Sequence, residues 1–278
     1  MIPKIVHFIW LSKEHNKTEK YPLDVQNCIN SWRERLSGYQ VKEWNENNFD
    51  FSICQYANEA YKEGKYAFAS DYIRLWALYN FGGIYLDTDV EILKSLDELL
   101  TNEAFMGFED KNKIATCIIG CQKGNKVIKR FMDDYDNRRF IFSKGNYDLT
   151  PNPIPITKAL LDEGLQPNGE LQRLSHIVIY PMDYFCPYNP YRNSGDCFSN
   201  NTYCIHHFNG AWIRDKTNDE ILYAKKEKKY VFLFGEDLGR KVCKHIEIIK
   251  HIGTIKWMNK YVLKNNRGHY GESSNNNN

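Results

Sequence analysis

The chain is predicted to be an α/β protein with a mainly parallel central sheet flanked by helices. Short apolar runs with β-branched residues alternate along it with segments whose apolar side chains recur at helical spacing. This alternation is typical of parallel sheets, in which helices connect successive strands. A hydrophobic content of 42% and an aromatic content of 14% supply enough apolar surface for one large core.

Each element has its own signal. Apolar or aromatic runs predict the strands Ile5–Leu11, Tyr39–Trp44, Ile84–Val90, Phe105–Glu109, Ala115–Cys121, Ile177–Pro181 and Tyr203–His207. Helical spacing, as at Val25, Ile29 and Trp32, predicts the helices Leu23–Leu36, Phe51–Lys62, Tyr66–Phe81, Lys126–Asn137 and Ile156–Asp162. The segment Pro151–Pro155 is predicted to be a loop because prolines interrupt it.

Two aspartates end the most informative stretch, residues 68–92. Asp87 and Asp89 lie on a predicted strand, where alternation places Tyr85, Asp87 and Asp89 on one face. Adjacent carboxylates repel, and their burial is costly without a positive partner. Because oxygen ligands suit Mg²⁺ and Mn²⁺, the pattern predicts a divalent-cation site. The alternative, a pair of solvated carboxylates, is disfavoured by the apolar strand before them.

The helix before this strand adds a second polar pair. Asp71 and Arg74 lie three residues apart and therefore share a helix face. Taken alone, they would be a surface salt bridge worth roughly a few tenths of a kcal/mol. The helix is predicted to stop at Gly82-Gly83, from which the chain turns directly into the acidic strand. The sequence therefore predicts a cleft lined by both pairs.

Three separated blocks carry a resemblance to a known family. They are S-D-x-x-R with G-G-x-Y-x-D-x-D (residues 70–74 and 82–89), I-P-K-I-V-H-F-I-W (residues 2–10) and I-H-H-F-N-G-A-W (residues 205–212). In this order the set resembles the D-x-D glycosyltransferases, and within them the family 32 group. That group includes bacterial capsular-polysaccharide transferases and yeast mannosyltransferases, and the glycosylating domains of clostridial toxins share its core. A lone D-x-D occurs often by chance, whereas the ordered set is specific.

The resemblance implies a GT-A-type nucleotide-sugar-binding fold and a metal-dependent, retaining hexosyltransferase. It implies a nucleotide-sugar donor, with a UDP-hexose favoured over GDP-mannose. The implied acceptor is a glycan or lipid-linked saccharide in bacterial surface polysaccharide synthesis, such as capsule synthesis. Because the sequence identifies no covalent nucleophile, we expect front-face attack, in which the departing phosphate helps to deprotonate the acceptor hydroxyl.

The resemblance also assigns a metal site. Asp89 is the expected direct ligand of Mn²⁺ or Mg²⁺, and Asp87 contacts the ion through water or binds the donor ribose. His206 is expected to be the third ligand through its imidazole. Only one of two adjacent strand residues faces the cleft, so His207 is expected to be a core or supporting residue.

The other matching positions are expected to hold the donor. Ser70, Asp71 and Arg74 lie at the transferred hexose, where a planar guanidinium suits polyols and diphosphates. Trp10, at the carboxyl end of the first strand, is expected to stack on the base, with a core tryptophan as the alternative.

The last block is expected to close over the diphosphate. Asn209 and Trp212 contact it there, Trp212 through its indole N–H. Ala211 departs from the family, which usually has serine, and this puts one hydroxyl contact in doubt.

The charge divides the chain into a body and a basic end. Residues 225–267 carry twelve Lys or Arg and four Asp or Glu, a net charge of +8 that leaves −6 for the rest. We expect a catalytic domain over residues 1–224, a basic amphipathic helical segment over 225–267 and a disordered tail over 268–278. The basic segment either packs on the core or lies on an anionic membrane near a lipid-linked acceptor.

The expected location is the cytoplasm, with peripheral contact to the inner membrane face if the basic segment docks there. No apolar run reaches the roughly 20 residues of a membrane span, and no signal-peptide cleavage pattern follows the apolar start. The eight cysteines form no C-x-x-C pair, which favours buried thiols in a reducing compartment. Cys117 and Cys121 come nearest to a metal-binding spacing, but no second pair accompanies them.

Other functions fit parts of the pattern. Dehalogenase-type phosphatases place D-x-D after an apolar strand, but Gly195-Asp196 lacks the second aspartate of their acidic motif. A non-catalytic sugar-binding domain does not need the intact set Asp87, Asp89 and His206. A toxin-like transferase acting on a protein keeps the chemistry and changes the acceptor. No nucleic-acid partner is expected.

Overall fold

The computed structural model describes residues 1–12, 21–189 and 195–209. Its helices are α1 (Leu23–Arg35), α2 (Gln55–Lys62), α3 (Tyr66–Phe81), α4 (Lys126–Asp133), α5 (Pro153–Asp162) and α6 (Met182–Phe185). Its strands are β1 (Ile5–Ile9), β2 (Gln40–Trp44), β3 (Gly83–Leu86), β4 (Val90–Ile92), β5 (Ala104–Asp110), β6 (Lys113–Cys121), β7 (Ile141–Ser143), β8 (Asn146–Tyr147), β9 (Gln172–Arg173), β10 (Val178–Tyr180) and β11 (Cys204–His206). Trp212, the predicted basic segment and the predicted tail lie outside the described residues.

A seven-stranded sheet in the order β2-β1-β3-β6-β5-β10-β9 forms the centre. β1 pairs in parallel with β2 and β3, as β10 does with β5, whereas β6 is antiparallel to both neighbours and β9 to β10. Five of the seven strands therefore run in one direction. The predicted α/β class, with a mainly parallel sheet flanked by helices, is confirmed.

Helices cover both faces of this sheet. Phe8 and Ile84 point to the face covered by α1 and pack with Trp32 in one buried cluster. Tyr85 points to the opposite face and packs with residues of α2 to α5, such as Leu75. Because strand side chains alternate between the two faces of the sheet, they contribute to two separate hydrophobic cores, one on each face. None of the helices in the described ranges has the length and apolar character needed to cross a bilayer.

The course predicted for the acidic strand, Ile84–Val90, is wrong. β3 ends at Leu86, and residues 87–89 turn before β4 begins. The Val90 amide donates to the Asp87 carbonyl oxygen at 3.1 Å and closes this turn. The chain turns here because β4 leaves the large sheet to pair with β11. Turn residues do not alternate, so the strand face predicted to hold both aspartates is also wrong.

Other boundaries differ for local reasons. The loop predicted over Pro151–Pro155 is wrong, because α5 begins at Pro153 and a first helical turn tolerates proline. The helix predicted over Phe51–Lys62 is interrupted at Cys54, whose backbone is extended. The helix α4 ends at Asp133, four residues early. The sequence does not predict β7, β8, β9 or α6, because two to four residues are too few to show a period.

Two glycines set β3 directly against β1. The helix α3 ends at Phe81, and Gly82 and Gly83 follow with φ angles of +66° and +102°. A Cβ on Gly83 would lie 2.5 Å from the carbonyl oxygen of Ile5, and one on Gly82 2.7 Å from the amide nitrogen of Lys123. The predicted Gly-Gly stop is therefore confirmed, and both the φ angles and the space require glycine.

The buried His7 joins β1, β2 and the Gly-Gly turn. The indole N–H of Trp44 donates to His7 Nδ1 at 3.1 Å, and His7 Nε2 lies 2.8 Å from the Gly82 carbonyl oxygen. Because an indole can only donate, Nδ1 is the acceptor and Nε2 carries the proton that Gly82 accepts. Burial lowers the pKa of His7 to about 4, despite the opposing effect of the Gly82 carbonyl. His7 is therefore neutral in the folded chain at neutral pH.

We predict that acid destabilises the protein through His7. An unfolded histidine takes up a proton near pH 6.5, whereas folded His7 takes it up only near pH 4. As pH falls from 6.5 towards 4, the unfolding free energy should decrease by up to about 1.4 kcal/mol per pH unit from this group. Urea unfolding at several pH values measures how the unfolding free energy changes with pH. His7→Gln should be less stable at pH 7 and should lack this part of the slope. Equal slopes in both proteins would contradict the assignment.

Candidate active site

The predicted site residues gather where two parallel strands end. Trp10 follows β1 and Asp87 follows β3, and the carboxyl ends of parallel strands meet at one edge of the sheet. Asp71 and Arg74 come from α3, which packs against both strands. His206 ends β11, whose partner β4 begins directly after the D-x-D turn.

The guanidinium of Arg74 is the centre of this cluster. Its Nη2 lies 2.9 Å from Asp71 Oδ1 and 3.2 Å from Ser70 Oγ. Its Nη1 lies 3.0 Å from the Thr116 carbonyl oxygen and 3.4 Å from Asp87 Oδ1. Its Nε donates to the Ser70 carbonyl oxygen at 3.3 Å. These contacts match the five N–H groups of a guanidinium, so Arg74 is fully engaged with the protein.

Tyr85 supports the same arrangement from β3. Its ring lies beneath the guanidinium, with Arg74 Cζ 4.6 Å from the ring centroid, which is a cation–π contact. Its hydroxyl donates to Asp87 Oδ1 at 2.6 Å. Burial raises the pKa of this hydroxyl well above its ordinary value, despite Arg74, so Tyr85 stays a donor. Asp87 Oδ1 is thus held from two sides.

Asp71 is buried beside this charge. Only 8% of the residue is exposed, and 5% of Arg74. Burial raises the pKa of Asp71 to about 7, against the lowering effect of Arg74 and with a further raising effect of Asp87. One guanidinium therefore faces two carboxylates, and burial opposes the ionisation of Asp71.

Asp89 faces His206 across the β4–β11 pair. Asp89 Oδ1 lies 3.4 Å from His206 Nε2, and Asp89 Oδ2 accepts the backbone N–H of Asn209 at 2.9 Å. Burial alone would raise the pKa of Asp89, but His206 and Asn209 lower it below its usual range. Burial alone would lower the pKa of His206, but Cys117 and Asp89 raise it. The two side chains thus form a close, charge-complementary pair.

The donor atoms here fit a divalent cation. One ligand atom from each of Asp87, Asp89 and His206 lies within 4.8 Å of the others. Two carboxylates and an imidazole are a ligand set that Mn²⁺ accepts, and Mg²⁺ accepts the carboxylates. The turn at residues 87–89, and not strand alternation, makes this approach possible.

The other predicted residues occupy distinct positions. His207 Nε2 lies 2.9 Å from Glu91, so the imidazole of His206, and not that of His207, faces the D-x-D turn. Trp10 is half-buried and packs edge-to-face on Tyr21, with ring centroids 5.3 Å apart. Asn209 is exposed and reaches the turn by its backbone.

Three contributors escape sequence reasoning. Tyr85 belongs to the G-G-x-Y-x-D-x-D block, which marks it as a member of the motif. The sequence does not show that its side chain contacts Arg74 and Asp87. Thr116 contributes a carbonyl oxygen, which leaves no trace in residue type. Asp24 accepts from the side-chain amide of Asn209 at 3.0 Å, across a long separation in sequence.

Comparisons with known proteins bear on this region. The family model described as a glycosyltransferase sugar-binding region containing the DXD motif matches residues 22–106. This range runs from α1 into β5 and contains Asp71, Arg74, Asp87 and Asp89. The resemblance to the D-x-D glycosyltransferases is therefore confirmed.

The individual relatives are similar to this chain at low sequence identity and over less than half of its length. Inositol phosphoceramide mannosyltransferase 3 of Schizosaccharomyces pombe is 28% identical over 135 residues, which are 46% of this chain and 35% of the relative. Inositol phosphoceramide mannosyltransferase 1 of the same yeast is 29% identical over 113 residues, covering 38% and 33%. The chain thus spans about a third of the length of these curated relatives. Among solved structures, PaToxG glycosyltransferase aligns with a TM-score of 0.43 at 20% identity, over 58% of this chain and 69% of that one.

We predict that Arg74→Lys destabilises the fold even though the charge is kept. A lysine ammonium cannot reproduce the planar fork, and it leaves buried acceptors at Ser70 or Thr116 unsatisfied. The unfolding free energy should fall by about 1–3 kcal/mol, measured by urea unfolding. Arg35→Lys, at the exposed end of α1, is the matched control and should change it by less than about 0.5 kcal/mol. Equal effects of the two changes would show that the guanidinium geometry is unimportant.

Proposed function

We propose that this protein is a metal-dependent, retaining glycosyltransferase that moves a hexose from a nucleotide-sugar to a saccharide or lipid-linked saccharide. One observation carries the proposal. Asp87, Asp89 and His206 converge to within 4.8 Å beside the Asp71–Arg74 pair, within and next to the stretch that matches the sugar-binding family. Two carboxylates and an imidazole suit a divalent ion that can in turn bind a diphosphate, and carboxylate oxygens accept hydrogen bonds from sugar hydroxyls.

Asp87, Asp89 and His206 would hold the ion. When bound, a divalent cation supplies charge stabilisation to the nucleoside diphosphate that leaves. The chain's own contribution is to fix these ligands before the donor binds. Asn209 holds Asp89 Oδ2 and Tyr85 holds Asp87 Oδ1, so the ligand oxygens keep their orientation.

The donor sugar is expected at Asp71 and Arg74. Because the five N–H groups of Arg74 already face protein acceptors, a direct bond from Arg74 to a sugar hydroxyl requires an exchange of one contact. We therefore propose that Arg74 chiefly positions the carboxylates of Asp71 and Asp87. Their second oxygens are the acceptors offered to sugar or ribose hydroxyls.

The nucleotide and diphosphate are expected on the outer side of the cluster. Trp10 stands at the carboxyl end of β1, where its exposed portion is suited to stacking on a base. Asn209 and Trp212 are proposed to cover the diphosphate, and Trp212 lies outside the described residues.

The identities of the donor and the acceptor are proposed from the family resemblance and from the names of the yeast relatives. A UDP-hexose follows from the resemblance to bacterial polysaccharide transferases, and capsule synthesis would be the corresponding role. The yeast relatives are named mannosyltransferases of inositol phosphoceramide, which supports GDP-mannose as the competing donor and a lipid-linked acceptor. A cytoplasmic enzyme whose residues 225–267 contact the inner membrane face would reach such an acceptor.

We predict that nucleotide release from the donor depends on a divalent ion and on the D-x-D pair. With UDP-hexoses and GDP-mannose as the panel, Mn²⁺ should support release and EDTA should abolish it. Asp89→Ala should remove turnover because it deletes both ligand oxygens, and Asp87→Asn should lose most of it because the amide lacks the negative charge of the carboxylate. Glu91→Gln is the matched acidic control and should keep activity, since Glu91 faces His207. Full activity in EDTA, or in the Asp89 variant, would contradict the metal assignment.

We predict that the two adjacent histidines differ. His206→Ala should raise the Mn²⁺ concentration needed for half-maximal nucleotide release at least tenfold, because it removes a ligand next to Asp89. His207→Ala should leave that concentration nearly unchanged, because its imidazole faces Glu91. Titration of activity with Mn²⁺ measures both. Equal shifts would mean that His206 is not a ligand.

A further inference from the structure

Two buried thiols meet on the inner side of His206. Cys117 in β6 and Cys186 directly after α6 bring their Sγ atoms to 3.7 Å, and the two residues are 2% and 0% exposed. The cysteines within the described ranges form no disulfide. One imidazole nitrogen of His206 completes a group of three donor atoms within 4.8 Å of one another. This trio is distinct from the oxygen ligands of the D-x-D turn.

The sulfur separation is the one that a tetrahedral ion requires. Two Zn–S bonds of about 2.3 Å at a tetrahedral angle place the sulfurs about 3.8 Å apart. The Cys117–Cys186 separation of 3.7 Å therefore accommodates such an ion with little movement. Thiolate and imidazole donors favour Zn²⁺ over Mg²⁺ and Mn²⁺, which prefer oxygen.

The Nδ1 atom of His206 is the nitrogen that can bind an ion at this site. The Nε2 atom of the same imidazole faces Asp89 Oδ1 at 3.4 Å, whereas Nδ1 is buried and makes no hydrogen bond of normal geometry within the described part of the chain, although the Cys117 thiol lies close to the imidazole. A buried polar atom without a well-formed hydrogen bond is rare and calls for an explanation. With Nε2 directed at Asp89, Nδ1 is left to face the thiols. Metal-bound histidines commonly donate their other N–H to a carboxylate, and Asp89 is placed to accept it.

We propose that Cys117, Cys186 and His206 form a second metal site, which binds Zn²⁺ or another thiophilic divalent ion. Binding releases the two thiol protons and the Nδ1 proton of the His206 imidazolium to solvent, and the imidazole then donates its Nδ1 lone pair. Three protein ligands leave a fourth tetrahedral position for solvent.

Occupation of this site would inhibit the enzyme by removing a ligand from the other ion. To bind an ion at the D-x-D turn, His206 must present an unprotonated Nε2. With Nδ1 on Zn²⁺, the imidazole instead carries its proton on Nε2 and donates it to Asp89. This consequence rests on the proposed function, whereas the site itself does not.

Titration with Co²⁺ tests the site without any activity. The fully reduced full-length chain, kept free of oxygen and in excess Mg²⁺, should bind a single equivalent with thiolate-to-cobalt charge-transfer absorption. Zn²⁺ should abolish that absorption by displacement. Cys117→Ser and Cys186→Ser should each lose it, and Cys121→Ser should keep it. Cys121 is the matched control, because it lies on the same strand but packs in the core on the other sheet face. Absence of the band in the unmodified chain, or its persistence in both serine variants, overturns the proposal.

Inhibition is tested separately. Micromolar Zn²⁺ should suppress Mn²⁺-dependent nucleotide release in the unmodified chain and in Cys121→Ser, and should lose most of this effect in Cys117→Ser. A cobalt spectrum without any donor turnover would support the site and contradict the proposed function. A cobalt spectrum with full activity in Zn²⁺ would overturn the shared use of His206.

Discussion

The buried guanidinium of Arg74 is the interaction on which the arrangement of the site depends. Removing a charge from water is costly, and the cost is offset only when every N–H finds an acceptor. Here the acceptors are two carboxylates, a hydroxyl and two carbonyl oxygens, drawn from α3, β6 and the residue after β3. Without this charge, Asp71 and Asp87 would repel each other in a buried setting. The same contacts that hold the helix on the sheet therefore also hold the carboxylates together.

The D-x-D turn depends on a second set of contacts, supplied by the helix on the opposite sheet face. The indole of Trp32 in α1 donates to the Val90 carbonyl oxygen at 2.7 Å, and Ser31 Oγ accepts the Ile92 amide at 2.9 Å. The backbone of His207 donates to the Asp89 carbonyl oxygen at 2.9 Å. These bonds fix β4 and β11 beside the turn. The distance from Asp89 to His206 is thus set by backbone pairing.

His206 stands between two kinds of ligand. On one side lie carboxylate oxygens, which suit hard cations, and on the other lie two thiols, which suit soft ones. An imidazole has two nitrogens but a single exchangeable proton when neutral, so the two environments are coupled through its tautomer. The local chemistry of the thiol pair thereby bears directly on the cluster that we propose to bind the donor.

The sequence by itself determined the α/β class, most helices, the Gly-Gly stop and the resemblance to the D-x-D glycosyltransferases, because these follow from local periodicity and from short motifs of residues close in the chain. It also brought Asp71, Arg74, Asp87, Asp89 and His206 together as candidates. Only the tertiary structure decided that the aspartates lie in a turn, since β4 leaves the sheet for a partner more than 100 residues away. The same holds for the thiol pair. Spacing along the chain pairs Cys117 with Cys121, four residues away, but in the fold Cys117 on β6 lies against Cys186, which follows α6. Pairings of this kind arise from packing between remote elements, which residue spacing does not encode.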